Sequence, residues 1–224
     1  MRFNSFFGIK KKKRELIIWG GAGQMRVLEE IVRIDGYKII CVVDNRDLGL
    51  VKEGADFLVG FDALKQWVLE RSPQAQLYSA VAIGGASGKD RVLLLKELKG
   101  LNLLPINLVH PSAEIASGLS LGEGCQILIG SKVAVNVRIG DGCIINSGAI
   151  VDHDCILGSG VHIGPGATVA GEVLIGENTF IGAGATILPK LEIGENVIVG
   201  AGSVVTRNLC AGEIVAGVPA RKIK

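Results

Sequence analysis

The sequence predicts an α/β N-terminal domain followed by an all-β domain, a parallel β-helix. The β-helix is predicted because an aliphatic residue stands at every sixth position over residues 115–205, and a fixed short period indicates a solenoid. The α/β domain is predicted because residues 15–104 alternate short apolar runs with glycine-rich turns and helical patterns. The periodic aliphatic residues are Ile115, Leu121, Ile127, Val133, Ile139, Ile145, Val151, Leu157, Ile163, Val169, Ile175, Ile181, Ile187, Ile193, Val199 and Val205.

Each of these hexapeptides has a corner residue three positions after its aliphatic residue. It is glycine nine times, as at Gly124 and Gly142, and asparagine four times, as at Asn136. Glycine and asparagine accept a left-handed backbone, so the chain is predicted to turn every six residues. Three short strands then make a coil of eighteen residues, and each coil buries its apolar side against the next. The register shows no inserted loop.

The N-terminal domain has the pattern strand, glycine-rich turn, helix, strand and acidic residue. Its first apolar run is residues 16–19, and its second is residues 38–43. This Rossmann-like βαβ unit predicts a phosphate site at the helix N-terminus and a ribose or base contact after the second strand. A third strand over residues 77–83 precedes a helix over 89–99. The predicted nucleotide-binding residues are Gly20, Gly21, Gly23, Asp44, Asn45 and Gly84.

The small size of this domain bears on its ligand. The third glycine of the dinucleotide fingerprint is replaced by Arg26, so a tight turn needed only for packing stays an alternative for the glycine loop. A half-size domain fits one nucleoside diphosphate better than NAD, which favours a nucleotide sugar. We expect the domain to span residues 15–104, with the β-helix at residues 105–224. Residues 1–14 are expected to be a solvated basic lead-in, with contact to the inner leaflet of a membrane as the alternative.

Composition excludes several classes of partner. The net charge of +2 gives no reason to expect nucleic acid, and no apolar run approaches the roughly 18 residues of a membrane helix. Five cysteines without a Cys-x-x-Cys pair indicate a reduced, cytoplasmic setting. Cys125 and Cys143 are eighteen residues apart, so we expect them to stack in adjacent coils as small core-filling thiols.

The repeats, with their Ile-Gly-Glu-Asn and Ile-Gly-Asp-Gly wording, resemble the hexapeptide-repeat acyltransferases. Together with residues 20–27, 43–45, 82–84 and the C-terminal residues 214–223, they resemble the sugar O-acyltransferases of the sialic-acid acetyltransferase type. That family includes bacterial nucleotide-amino-sugar N-acetyltransferases. The resemblance implies a left-handed β-helix and acetyl-CoA as co-substrate, without a metal. Gln24 and Met25 depart from the His and small residue that the family often has there.

His153 is the predicted catalytic base. It stands in Val-Asp-His-Asp, on an outward corner, and a histidine beside a carboxylate suits proton abstraction near neutral pH. Asp154 is the favoured orienting group and Asp152 the second choice. Gly171, one coil later, is expected to leave space and an exposed N–H for a thioester carbonyl. No Ser or Cys nucleophile is evident, so direct transfer is predicted.

The resemblance adds further residues. It implies that Asn146 and His162 contact the substrate or the acetyl group, and that His162 also contributes to the acetyl-CoA site. The third histidine, His110, is expected to face solvent. The remaining residues predicted along the acetyl-CoA site are Gly171, Ala201, Gly217 and Arg221.

The spacing of the histidines predicts a homotrimer. His153 and His162 are nine residues apart, half a coil, and so belong on different sides of the prism. A symmetric trimer brings one side of each subunit against another side of its neighbour. We therefore expect the site to lie between subunits.

The predicted function is acetyl-CoA-dependent N-acetylation of a nucleotide-linked 4-amino-4,6-dideoxy sugar in bacterial glycan biosynthesis, with UDP as the predicted nucleotide. O-acetylation of a sialic acid or related sugar is the close alternative, because the same base serves both acceptors. A zinc carbonic anhydrase would need two histidines five residues apart on one side. A non-catalytic scaffold would not need the Asp-His-Asp group.

Overall fold

The structure is a computed structural model that describes residues 14–49, 51–71 and 76–223. The predicted lead-in lies outside these residues, except for Arg14, which begins the first strand. In the part of the chain that the structure describes, no helix has the length and apolar character needed to cross a membrane.

The N-terminal domain is a five-stranded parallel sheet with three helices. Its strands have the order β3-β2-β1-β4-β5, so the direction of winding reverses between β1 and β4. Ligands of such sheets bind at this switch point, outside the carboxyl ends of the strands. The elements are β1 (Arg14–Trp19), α1 (Gly23–Ile34), β2 (Tyr37–Asp44), β3 (Asp56–Val59), α2 (Gly60–Glu70), β4 (Tyr78–Val81), α3 (Gly88–Gly100) and β5 (Leu104–Pro105).

The strands and helices predicted from the apolar runs are present, and three elements were not predicted. Helix α1 buries Met25, Leu28, Ile31 and Val32, the spacing of one helix face. The unpredicted elements are β3, which extends the sheet beyond β2, helix α2, which follows β3, and β5, which pairs with β4. The sheet runs one residue past the boundary expected after residue 104, because Pro105 still pairs with Ser79.

The second domain is a parallel β-helix with three faces of two- and three-residue strands. Face 1 contains β6 (Leu108–Val109), β9 (Gln126–Ile127), β12 (Ile144–Ile145), β15 (His162–Ile163), β18 (Phe180–Ile181), β21 (Ile198–Val199), β23 (Ile214–Ala216) and β24 (Arg221–Lys222). Face 2 contains β7 (Glu114–Ile115), β10 (Lys132–Val133), β13 (Ile150–Val151), β16 (Thr168–Val169), β19 (Thr186–Ile187) and β22 (Val204–Val205). Face 3 contains β8 (Ser120–Leu121), β11 (Arg138–Ile139), β14 (Ile156–Leu157), β17 (Leu174–Ile175) and β20 (Glu192–Ile193).

The coil has the predicted length and the predicted corners. Lys132 pairs with Ile150, and Ile150 with Thr168, which is a register of eighteen residues. Every predicted corner from Gly118 to Gly202 has a positive φ, including Asn136 at 57°. Asn208 does not, because the last coil is shorter: Ile193 bridges Leu209, sixteen residues on.

The interior of the β-helix is filled by the periodic aliphatic residues and by small side chains two positions before them. Cys125 and Cys143 are buried free thiols in this core, as the spacing predicts. Each coil therefore covers the apolar edge of the previous one, which stabilises the stack through the hydrophobic effect.

The N-terminal domain packs on face 1. Leu128 and Ile144 of the β-helix belong to the same buried cluster as Met25 and Leu28 of helix α1. In a three-sided prism, face 1 lies opposite the corner between faces 2 and 3. The two domains of one chain therefore leave that far corner uncovered.

Candidate active site

His153 lies on the corner between faces 2 and 3, with about half of its side chain exposed. Its Nδ1 is 2.9 Å from Oδ2 of Asp154, the residue that turns the corner with a φ of 56°. Asp152 does not contact the ring; its Oδ1 accepts the backbone N–H of His153. Since a carboxylate only accepts, Nδ1 carries the proton, and Nε2 presents a lone pair. This is the arrangement of an oriented base.

The carboxylates around His153 favour its protonated form. The hydrogen bond to Asp154 raises the pKa of His153 above its ordinary value, and the charges of Asp152, Asp154 and Glu172 add to the effect. The pKa of Asp154 is lowered by its hydrogen bonds with His153 and Asn136, whose Nδ2 is 3.2 Å from Oδ1. Asp154 is thus an anion held between two donors.

Gly171 lies directly against the imidazole ring, and the structure corrects the expectation of open space there. A Cβ at Gly171 would be 2.6 Å from Cε1 of His153 and closer still to Nε2. Gly171 is itself buried, because the imidazole occupies the room that the missing side chain leaves. The glycine therefore permits the ring to lie over the backbone, and the contact of its N–H with a thioester carbonyl stays a prediction.

A groove runs beside His153 on the side of the preceding coils. It has a volume of about 370 Å³ and is lined by Gly118, Asn136, Arg138, Asp154 and Ile156. Apolar side chains are exposed around the same corner, notably Val135, Ile150 and Ile156. A polar groove rimmed by exposed aliphatic residues is typical of a site that a second surface covers.

His162 lies on face 1 and is almost completely buried, at 4% exposure. Its Nδ1 is 3.0 Å from the Gly85 carbonyl oxygen, and its Nε2 is 3.0 Å from Nδ2 of Asn146. Burial lowers the pKa of His162 to about 4, with the nearby Arg91 contributing in the same direction. His162 is therefore a neutral ring with both nitrogens occupied, and a contact between it and acetyl-CoA stays a prediction.

The glycine turn after β1 is shaped by close backbone approach. Gly20 has a φ of 103°, and a Cβ there would be 3.0 Å from the carbonyl carbon of Ala82. A Cβ at Gly21 would be 3.0 Å from Leu48, whereas Gly23 is unconfined. Helix α1 begins at Gly23 without a side-chain cap or an acidic residue in its first turn. Its N-terminal N–H groups suit a phosphate.

Asp44 is buried at the end of β2, where it holds the glycine turn. Its Oδ2 accepts the Gly21 N–H at 3.1 Å, and its Oδ1 accepts the backbone and side-chain N–H groups of Arg46. Burial alone would raise the pKa of Asp44, but the hydrogen bonds from Arg46 and Gly21 hold it below its ordinary value. A direct ribose contact of Asp44 stays a prediction.

Two clefts flank this turn at the carboxyl edge of the sheet. One, of about 480 Å³, includes Gly21, Ala22 and Arg26, the residue that replaces the third fingerprint glycine. The other, of about 380 Å³, includes Trp19, Asn45 and Phe61. Gly84 stands between β4 and α3, and a Cβ there would be 3.4 Å from Oε1 of Gln24. The predicted nucleotide-binding residues thus share one edge of the sheet.

Sequence reasoning missed one polar link between the domains. Nε2 of Gln24 donates to Oε1 of Gln126 at 2.6 Å, and Nε2 of Gln126 donates to the Val81 carbonyl at 2.7 Å. The available signal was a glutamine at a strand position of face 1 where the preceding and following coils have Leu108 and Ile144.

The predicted residues fall on two separated parts of the chain. His153, Asp154 and Gly171 lie on the corner between faces 2 and 3. Asn146 and Ala201 lie on the corner between faces 1 and 2, and Gly217 and Arg221 lie in the hairpin of β23 and β24 that follows. The structure does not bring these two groups together within one chain.

His110 does not face solvent as expected. It is half-buried, its Nδ1 is 2.8 Å from Oγ of Ser112, and its Nε2 is enclosed. The backbone N–H of His110 donates to the Ile127 carbonyl, which holds this residue against the β-helix. Among residues 14–49, 51–71 and 76–223, no group of three or more His, Cys, Asp or Glu could hold a metal ion.

Comparison with known proteins assigns both domains. The family described as bacterial transferase hexapeptide (six repeats) matches residues 136–171 and 172–207. PerB from Caulobacter crescentus, solved with CoA and GDP-perosamine, is 36% identical, with a TM-score of 0.84 over 94% of this chain and 97% of that one. A comparison with curated protein sequences finds no match.

Two further structures agree. The acetyltransferase domain of PglB from Neisseria gonorrhoeae FA1090, solved with acetyl coenzyme A, is 30% identical, with a TM-score of 0.84 over 95% of this chain and all of that one. WeeI from Acinetobacter baumannii AYE is 24% identical with a TM-score of 0.74, which shows the fold alone.

These similarities extend over both domains and not only over the repeats. They confirm the predicted fold class, a small Rossmann-like α/β domain followed by a left-handed parallel β-helix. The chain therefore belongs to the hexapeptide-repeat sugar acyltransferase family that its sequence resembles, and it is a CoA-dependent acyltransferase.

Proposed function

We propose that this protein transfers the acetyl group of acetyl-CoA to the amino group of a nucleotide-linked 4-amino-4,6-dideoxy sugar. The observation that carries the proposal is the exposed His153–Asp154 pair, in which Nε2 has no hydrogen-bond partner among the described residues. It occurs in a chain similar over 94% of its length to an enzyme solved with CoA and GDP-perosamine.

The chemistry follows from that pair. The lone pair of the sugar amino group attacks the thioester carbonyl carbon, while Nε2 of His153 accepts a proton from that amino group. The tetrahedral intermediate then collapses, the C–S bond breaks, and the imidazolium returns the proton to the departing CoA thiolate. Asp154 stabilises the imidazolium and keeps the proton on Nδ1 throughout. No covalent acyl-enzyme is needed.

Both substrates have a place on the chain. The nucleotide portion is assigned to the carboxyl edge of the N-terminal sheet, at the glycine turn and its two clefts. Acetyl-CoA is assigned to the corner between faces 1 and 2, toward Ala201, Gly217 and Arg221, as the family resemblance implies. With five free thiols and acetyl-CoA as co-substrate, we place the reaction in the cytoplasm.

We further propose that the site is completed between subunits of a homotrimer. Face 1 carries the N-terminal domain, and His153 stands on the opposite corner, so a sugar bound by one chain reaches the His153 of a neighbour. The exposed aliphatic residues on both corners support this junction: Ile150 and Ile156 beside His153, and Ile129 on the corner between faces 1 and 2.

An acceptor assay distinguishes which nucleotide the substrate carries and which of its atoms accepts the acetyl group. UDP is the nucleotide predicted from the sequence, whereas the similar Caulobacter enzyme was solved with a GDP-linked sugar. The carbonic anhydrase alternative loses support, because both ring nitrogens of His162 are occupied by hydrogen bonds.

A thiol-release assay with acetyl-CoA tests the proposal. The acceptors are GDP- and UDP-linked 4-amino-4,6-dideoxy sugars, the matching 4-hydroxy sugars, and free sialic acid. We expect release with one of the amino sugars and a product heavier by one acetyl group on nitrogen. Release only with a hydroxyl acceptor would replace the proposal by O-acetylation, and release with none would contradict both.

A further inference from the structure

The loop between β4 and α3 is held by the β-helix. This loop, residues 82–87, contains Gly84 at the switch point of the sheet and leads directly into α3. Gly88 lies so close to the corner between faces 3 and 1 that a Cβ there would be 2.8 Å from Cα of Asn178 and closer still to the Gly160 carbonyl oxygen. The position of the loop therefore depends on contacts with the second domain.

Two buried side chains make those contacts. Arg91, 1% exposed, donates from Nε to the Gly142 carbonyl at 2.9 Å and from Nη2 to the Gly160 carbonyl at 2.6 Å. Its Nη1 is 3.4 Å from the Gly85 carbonyl, which also accepts from His162. The Gly85 carbonyl is thus the atom of the loop that both side chains bind.

The hydrogen-bond network fixes the proton on His162. The Ser147 N–H donates to Oδ1 of Asn146 at 2.7 Å, which leaves the Asn146 amide nitrogen facing Nε2 of His162. An amide nitrogen only donates, so Nε2 accepts, and the proton of the neutral ring is on Nδ1. Nδ1–H then donates to Gly85.

We propose that His162 is a positioning residue: through its bond to Gly85 it holds the β4–α3 loop in the conformation that binds the nucleotide sugar. This inference rests on the proposed function, which assigns Gly84 to that substrate. It gives His162 a role in acceptor affinity. The acetyl contact implied by family resemblance would instead use Nε2, which here accepts from Asn146.

Two substitutions separate these roles. The amide nitrogen of asparagine reaches the place of Nδ1, and the amide group of glutamine reaches the place of Nε2, where its oxygen can accept from Asn146. His162→Asn keeps a donor for Gly85, whereas His162→Gln loses it and releases the Gly85 carbonyl from the β-helix. We expect His162→Gln to raise KM for the nucleotide sugar by about tenfold, with kcat and KM for acetyl-CoA within about twofold of wild type. We expect His162→Asn to keep kcat, KM for the nucleotide sugar and KM for acetyl-CoA within about threefold of the wild-type values.

Phe180→Leu is the matched control. Phe180 lies one coil above His162 and contacts it edge-on, with ring centroids 5.1 Å apart, but makes no bond to Gly85. Its loss should leave KM for the nucleotide sugar nearly unchanged. If His162→Gln behaves like wild type, or if His162→Asn is the variant that fails and does so in KM for acetyl-CoA, the positioning role is overturned.

A second measurement is independent of turnover. Amide hydrogen exchange of residues 83–88 in the ligand-free trimer should be faster in His162→Gln than in wild type and His162→Asn. Equal exchange in all three would overturn the inference. If wild type acetylates neither the GDP- nor the UDP-linked amino sugar, the proposed function fails, and the exchange result still decides whether His162 holds the loop.

Discussion

Gly171 gives the sharpest test of how His153 is held. An alanine there has an allowed backbone conformation, but its Cβ would be 2.6 Å from Cε1 of His153, where ordinary contacts are 3.4–4 Å. The ring must move by about 1 Å, and a misplacement of that size can cost about 10²-fold in rate. We therefore expect Gly171→Ala to lower kcat by about 10²-fold.

Stability should hardly change, because the half-exposed ring can rotate into solvent; a change within about 1 kcal/mol in the free energy of unfolding is expected. The control is a double-mutant cycle with His153→Ala, which by itself should cost about 10²–10⁴-fold in turnover. In the His153→Ala background, Gly171→Ala should have no further effect. The reasoning is refuted if Gly171→Ala keeps wild-type turnover, or if it lowers the rate by the same factor with and without His153.

Three other predictions follow from the charges and contacts. Because Asp154 raises the pKa of His153, Asp154→Asn should move the acidic limb of the kcat/KM profile to lower pH; an unmoved limb would assign it to another group. Because the pKa of His162 falls from 6.5 unfolded to about 4 folded, its contribution to stability should be lost as pH falls from about 6.5 through 4. Chemical denaturation over that pH range should show that the free energy of unfolding of wild type falls by about 3 kcal/mol more than that of His162→Asn. An equal fall in the two proteins would contradict the prediction. Gly21→Val should clash with Leu48 and raise KM for the nucleotide sugar about tenfold or more without changing KM for acetyl-CoA; a change in the latter would move acetyl-CoA to the N-terminal domain.

The β-helix could be predicted from sequence because its information is local and repeated. Each hexapeptide specifies its own corner and its own inward residue, so Asn136 and Gly142 could be placed without knowing any distant contact. The strand and helix at residues 56–70 were missed because their signals are weak. Helix α2 has no side-chain cap, and only Leu64 is buried.

The candidate site likewise has contacts that the sequence could predict and contacts that it could not. His153 and Asp154 are neighbours in sequence, so their pairing was predictable. His162 and Arg91 form hydrogen bonds with residues more than fifty positions away in the chain, and no pattern in a single sequence predicts such contacts. The stacking of Gly171 over residue 153 followed from the period of eighteen. That the imidazole fills the space depends on a side-chain rotamer, which periodicity does not determine.

The most direct test of the account is complementation between two impaired subunits, assayed at a nucleotide-sugar concentration well below the wild-type KM, where Gly21→Val has little activity. His153→Ala keeps the N-terminal domain, and Gly21→Val keeps His153. The two variants are co-expressed with different affinity tags, and trimers that carry both tags are purified. In each mixed trimer, one of the three sites combines an intact N-terminal domain with an intact His153 of the neighbour. We therefore expect about a third of wild-type acetylation of the nucleotide amino sugar. No activity above that of the separate variants would show that each site lies within one subunit, and would contradict the account.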